Sequence, residues 1–269
     1  MLTTLLRTVR ATRYVTPLRE GGSLPAIVEA DDDGLYVVKF RGAAQGPKAL
    51  VAELVAGEIG RTLGLPVPEI VFIEVDPALA NAEPHMEIQE LMRASGGLNV
   101  ALDFLPGALP FDARLAGLGR LPEVTGALAS EIVWFDAFVT NVDRTPRNPN
   151  MLLWHKRLWL IDHGASLYFH HTWNDYLARA QSGFAQVKDH VLLPFADDLA
   201  GADARLSARL TEETLAAVVA AIPDGWLDVT PPFASREEQR AAYLAYFAER
   251  LRAPHRFVEE ALDARAQRH

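Results

Sequence analysis

The chain has 269 residues, 49% of them hydrophobic, with a formal net charge of −9 and no cysteine. That length holds one large domain or two lobes sharing a cleft, and the spread of apolar residues supplies a sizeable core. The acidic balance argues against general affinity for nucleic-acid backbone or anionic membrane, and the lack of cysteine removes disulfides, thiolate metal sites and cysteine nucleophiles. The opening "MLTTLLRTVRATRYV" carries two arginines and no long apolar stretch, so it does not read as a signal peptide. No run approaches the roughly 18 apolar residues of a membrane span. A soluble, cytoplasmic protein is expected.

Taken in chain order, "TRYVTPL" reads as a strand, followed by the glycine-containing turn "REGGS". "AIVEA" and "LYVVKF" flank Asp33-Gly34, a hairpin signal because both residues tolerate positive φ. From Pro47 the spacing changes, and Leu50, Leu54, Ile59 and Leu63 share one helical face. Gly64 stops that helix, and Pro66 and Pro68 prevent its continuation. "EIVFIEV" is a further strand, and "HMEIQELM" is read as another.

A glycine-containing joint is expected near residues 93–98, dividing a strand-rich N-terminal lobe (1–92) from a mainly helical C-terminal lobe (93–269). Residues 122–140 predict a long buried helix, and the turn-rich loop "NVDRTPRNPN" follows. "NMLLWHKRLWLID" predicts two short strands around His155-Lys156. "TEETLAAVVAAIP" is a helix, and the segment from Ser235 is one or two more. Ser235 with Glu238 makes a capping box, and Tyr243, Phe247 and Leu251 form an inward stripe.

Phosphoryl transfer from ATP needs a carboxylate to orient the attacking hydroxyl, oxygen ligands for a metal, a cation on the phosphates and a backbone loop over them. Asp143 is the candidate for the first part. Asn148 and Asp162 are the candidate metal ligands, since hard cations prefer oxygen. Lys39 ends a strand and would reach the phosphates, with Glu53 on the next helix to pair with it. Gly21, Gly22 and Ser23 would form the turn over the phosphates, where glycine allows close backbone approach. Each residue alone has an ordinary structural explanation; their order along the chain carries the reading. Adenine would be read by backbone groups between the lobes, at Glu90, Leu91 and Met92, with Val38 and Ile161 as apolar neighbours.

"YVVKF", "AELVAGEIGRTLGLPVPE", "VDRTPRNPNML" and "LWLIDHGASL" together resemble the HipA-like kinases over roughly residues 14–170. The resemblance implies an α+β, bilobal protein-kinase-like fold and an ATP- and Mg2+-dependent kinase. It selects Glu53 over Glu58 as the partner of Lys39, and it favours a protein Ser/Thr hydroxyl as acceptor. Within the loop, Asn150 competes with Asn148, and the five-residue spacing from Asp143 favours Asn148. Thr145 stands where the family often has His, and His163 follows the metal-binding Asp where protein kinases have Phe. A small-molecule acceptor, a regulatory nucleotide-binding protein and a scaffold acting through residues 235–265 are the alternatives. Adjacent His170 and His171 make a poor metal pair, Asp31 to Asp33 read as a solvated turn, and Trp134, Trp154, Trp159 and Trp173 as core.

Overall fold

The computed structural model describes residues 6–18, 24–43, 46–114 and 124–268. Five strands close into a barrel near the N-terminus: β1 (Thr8–Pro17), β2 (Ala26–Ala30), β3 (Leu35–Lys39), β4 (Ile70–Val75) and β5 (Gly97–Asp103), in the order β1-β2-β3-β5-β4. The ring closes because β1, antiparallel to β2 on one side, runs parallel to β4 on the other. The β2–β3 hairpin forms at the expected turn, where Asp33 takes φ 61°. Asp32 in that turn accepts hydrogen bonds from the Arg7 guanidinium and, at 2.7 Å, from the Tyr36 hydroxyl. The acidic run is therefore exposed but partly ion-paired, where full solvation was expected.

Helix α1 (Pro47–Thr62) is buried continuously from Leu50 to Gly60, since the barrel covers one side and the helical region the other. Gly64, at φ 82°, follows its end, and the Leu65 N–H returns to the Gly60 carbonyl.

The segment expected as a strand at 85–92 is helical: α2 spans Met86–Ala94. Ile88 and Met92, one helical turn apart, are its buried positions, while Glu87 and Glu90 are exposed. Met, Glu, Gln and Leu are all strong helix formers, and here their propensity decides. The expected joint at 93–98 is corrected with it, because Gly97 already opens β5, the last barrel strand. The strand-rich region thus runs past residue 92 to Asp103. The chain leaves it through residues 104–108, where Phe104 N–H is held by the Leu35 carbonyl and Gly107 takes φ 75°.

Beyond this connection, β6 (Leu109–Pro110), β7 (Met151–Trp154) and β8 (Arg157–Leu160) form a small sheet. His155 and Lys156 turn the last hairpin at φ 47° and 62°. The buried helix α3 (Gly126–Phe138) is capped by Thr125, whose hydroxyl accepts from Leu128 N–H at 3.1 Å. The helices that follow are α4 (Tyr176–Ala180), α5 (Leu199–Ser207), α6 (Glu212–Ala220), α7 (Arg236–Arg250) and α8 (Arg256–Ala266), of which α5 and α8 pack directly on α3. Ser235 caps α7 through Glu238 N–H, but the Glu238 carboxylate returns to Ala234 N–H, one residue upstream of a standard capping box. One apolar cluster runs from α1 through α3 into the helices, and a second fills the barrel. Among the described residues, no helix is long and apolar enough to cross a membrane.

Candidate active site

Strand β3 is hydrogen-bonded on both sides, with Lys39 opposite Val100 of β5, so the lysine leaves a fixed backbone. Its Nζ lies 2.7 Å from Asp162 Oδ1 and 3.9 Å from Glu53 Oε2, in a setting that leaves Lys39 buried. Burial alone would lower its pKa, but the charges of Glu53 and Asp162 outweigh it and raise the value. Burial likewise pushes Asp162 up, and the adjacent ammonium reverses this to hold it below the ordinary carboxylate range. Glu53 is farther from the ammonium and 1% exposed, so burial prevails and its carboxyl is pushed up to about 6.

Asp162 sits in the left-handed region at φ 57°, two residues past the end of β8. The loop 141–150 faces it. Asp143 Oδ2 accepts from Asn148 Nδ2 at 2.7 Å and from Asn150 Nδ2 at 3.3 Å. The loop closes on itself through reciprocal backbone bonds of 3.1 Å between Thr145 and Asn148. Thr145 thus serves as a turn partner of Asn148. Burial raises the Asp143 pKa, opposed by the two asparagine amides. Asn148 is exposed; Asn150 is half-buried, with its carbonyl accepting from Ile161 N–H at 3.0 Å. Spacing separated the two asparagines, whereas the fold brings both to the same carboxylate oxygen.

The HipA-like kinase family model matches residues 12–253. The chain belongs to the HipA-like kinase family. Its fold is similar to that of the Helicobacter pylori proinflammatory kinase CtkA, at 14% identity and a TM-score of 0.56, over 97% of this chain and 99% of that one. It is also similar to the Golgi casein kinase, at 10% identity and a TM-score of 0.51, over 97% of this chain and 75% of that one. A further structure of the Golgi casein kinase, with Mn/ADP bound, matches at 10% identity and a TM-score of 0.51, over 96% of this chain and 74% of that one. No curated protein matches the chain.

In this HipA-like kinase the catalytic-type loop rests on a buried polar network that the sequence reading did not single out. Arg144, 1% exposed, donates from Nε to Asp136 Oδ2 at 2.5 Å and from Nη1 to the Asn150 carbonyl at 2.5 Å. Asn141 Nδ2 donates to the other Asp136 oxygen at 2.8 Å, while its own Oδ1 accepts from Asp143 N–H. His190 Nδ1 accepts from Leu192 N–H, which leaves Nε2–H to donate to Asp136 Oδ2 at 2.9 Å. His163, buried, has Nδ1 3.4 Å from Arg144 Nη2 and packs edge-on against Phe135. Burial and the Arg144 charge push His163 down to about 3, so it is neutral at physiological pH. Its ring lies against Gly57 of α1, where an added Cβ would run into Ile70. The signal in the sequence was Asp136, a carboxylate in the last turn of an apolar helix, which must be paired when buried.

Lys39, Glu53, Asp143, Asn148 and Asp162 therefore converge around one site. Glu90, Leu91 and Met92 do not serve as the expected chain joint. They lie on α2, where the backbone groups that were to read adenine are committed to the helix and its cap; the Leu91 and Met92 carbonyls accept from Ser95. Gly21, Gly22 and Ser23 lie outside the described residues. Val38 is fully buried in the barrel and Ile161 is half-buried. His170 is buried against the Tyr243 hydroxyl at 2.9 Å, and Trp134 is core; Trp154, Trp159 and Trp173 are half-buried. Among the described residues no group of three or more His, Cys, Asp or Glu is arranged for a metal. The available donors are the Asp162 carboxylate and asparagine amide oxygens. That set fits a hard cation that takes its other ligands from water and phosphate.

Proposed function

We propose that this protein transfers the γ-phosphoryl group of ATP to a Ser or Thr hydroxyl of a protein, with Mg2+. The observation that supports it most is Lys39, held between Asp162 and Glu53 with the Asp143 loop facing it. The solved Golgi casein kinase with Mn/ADP bound agrees with nucleotide and divalent-metal use in this fold. Asp162 and Asn148 would hold the metal, which would neutralise charge developing on the phosphates. Lys39 orients the non-transferred phosphates, and Glu53 steadies its ammonium. Asp143 orients the acceptor hydroxyl and receives its proton as oxygen attacks the γ-phosphorus and the bond to the ADP oxygen breaks. Its raised pKa suits it to that role.

The test is incubation of the purified protein with ATP and Mg2+ over pooled Ser/Thr peptides, with calorimetry for nucleotide binding. Phosphate is expected on the peptides, and Lys39→Met is expected to lower kcat/KM about 10- to 100-fold, the loss of one charge-assisted contact. Absence of Mg2+-dependent ATP binding would sink the proposal, and ADP release with no phosphopeptide would overturn the protein acceptor. Asn148→Ala is expected to raise the Mg2+ needed for half-maximal rate by about tenfold or more. If Asn150→Ala alone produces that rise, the ligand role belongs to Asn150.

A pH limb also follows. The folded state holds a proton on Glu53 up to about pH 6, above the ordinary range, so this group's contribution to stability falls as pH rises through that window. Above it, ionised Glu53 is available to Lys39. Turnover is therefore expected to fall as pH drops below about 6, and Glu53→Gln should show a lower rate without this limb. A pH–rate profile of the two proteins decides it.

A further inference from the structure

A cavity of about 240 Å³ opens beside the loop that carries Asp143. Thr140, Tyr168, Arg179, Ser182, Gln186 and Arg250 supply its polar lining. None of the described lining residues is Asp or Glu, in a chain of net charge −9. Arg250 is 2% exposed and is held by the carbonyls of Ala137, Phe138, Ala180 and Ser182. These take four of its five N–H groups, and no described carboxylate pairs with it. The Arg179 guanidinium donates from Nη1 to the Thr172 carbonyl and hydroxyl, at 2.8 and 3.1 Å, and likewise has no described carboxylate partner. Two guanidinium charges thus flank one small cavity without a counter-charge. Tyr246, stacked on Phe169 at 3.5 Å, also lines the cavity; burial pushes its phenol up, and the fields of Arg250 and Arg179 only partly oppose this.

The walls tie this cavity to the reacting loop. Thr140, at φ 54°, accepts Tyr168 N–H on its hydroxyl, and Leu167 N–H bonds the Val139 carbonyl. Residues just before Asp143 are thereby joined to residues just after Asp162. We propose that this pocket receives one anionic group, a carboxylate or phosphate, carried by the acceptor near its reacting hydroxyl. The volume is small for a nucleotide and suits a single side-chain group. The acceptor part of this assignment rests on the function proposed above; the anion site does not.

The test has two arms on the full chain. In the first, inorganic phosphate is titrated into isotope-labelled protein while the amides of Tyr168, Gly183 and Gln186 are followed by NMR. Saturable shifts are expected, weakened about tenfold in Arg179→Gln, the loss of one charge-assisted contact. Gln186→Glu, an exposed change at the rim, is expected to weaken them as well, by repulsion. Absence of shifts, or shifts indifferent to both substitutions, overturns the pocket whether or not the protein is a kinase. In the second arm, Ser/Thr peptide pools with Glu or phosphoserine beside the acceptor are compared with pools carrying Lys. An acidic preference of about tenfold, lost in Arg179→Gln, is expected. Shifts without that preference overturn the acceptor assignment and leave a site for a free anion. If no peptide in any pool is phosphorylated, the proposed function fails, and the phosphate titration still decides the pocket.

Discussion

Asp143→Asn is expected to lower kcat by about 10²- to 10⁴-fold, the range for loss of a positioned general base, while leaving ATP binding within a few-fold of wild type. The geometry supports so clean a separation. Asn148 and Asn150 both donate to Asp143 Oδ2, and an amide oxygen in its place still accepts those bonds, so the loop keeps its shape. What is lost is the negative charge and the ability to take a proton. Single-turnover phosphorylation alongside calorimetric ATP affinity is the measurement. A variant with near-normal kcat would show that Asp143 does not act on the hydroxyl, and a variant that no longer binds ATP would show that the loop had collapsed.

Asp136→Ala is expected to cost about 3–5 kcal/mol, because it leaves the Arg144 guanidinium buried without its counter-charge. For a chain of this size that corresponds to a fall in Tm of roughly 6–20 °C. His190 loses its acceptor in the same step, and Asn141, whose Oδ1 holds Asp143 N–H, loses the carboxylate that anchors its Nδ2. The damage is therefore expected in activity as well as stability. Asp136 lies well below the ordinary carboxylate range because the Arg144 and His190 contacts outweigh burial. Its contribution is thus present in full above the unfolded value of about 3.9 and wanes only as pH falls below it. Chemical denaturation at neutral pH and at about pH 3 should show the difference between wild type and variant shrinking in acid. A difference unchanged between the two would mean that the cost is packing and not charge.

The elements that follow strict hydrophobic periods were legible without coordinates: the Asp33-Gly34 hairpin, α1 with its glycine stop, the buried α3 and the turn at His155-Lys156. So was the convergence of Lys39, Glu53, Asp143 and Asp162, because phosphoryl transfer fixes the order and element of each part. Residues 86–94 were misread because a short segment with apolar residues at Met86, Ile88 and Leu91 fits neither period well. Helix propensity selects the helix there, and the packing of Ile88 and Met92 on the barrel agrees with it. The joint was misplaced as a consequence of that one segment. The Arg144, Asp136, His163 and His190 network escaped for another reason. Its members are 54 positions apart at the extremes, and a buried charge declares its partner only after folding.

Closure of the barrel also governs how this protein meets extended chains. A ring of strands has no open rim of backbone N–H and C=O groups, so strand-to-strand recruitment, whether useful or leading to aggregation, has no purchase there. The small sheet is guarded differently. On one side Leu160 N–H is already spent on the Pro66 carbonyl, and on the other the rim is the two-residue β6, ending in a proline that has no N–H to give. A peptide held here must therefore be gripped by its side chains more than by its backbone.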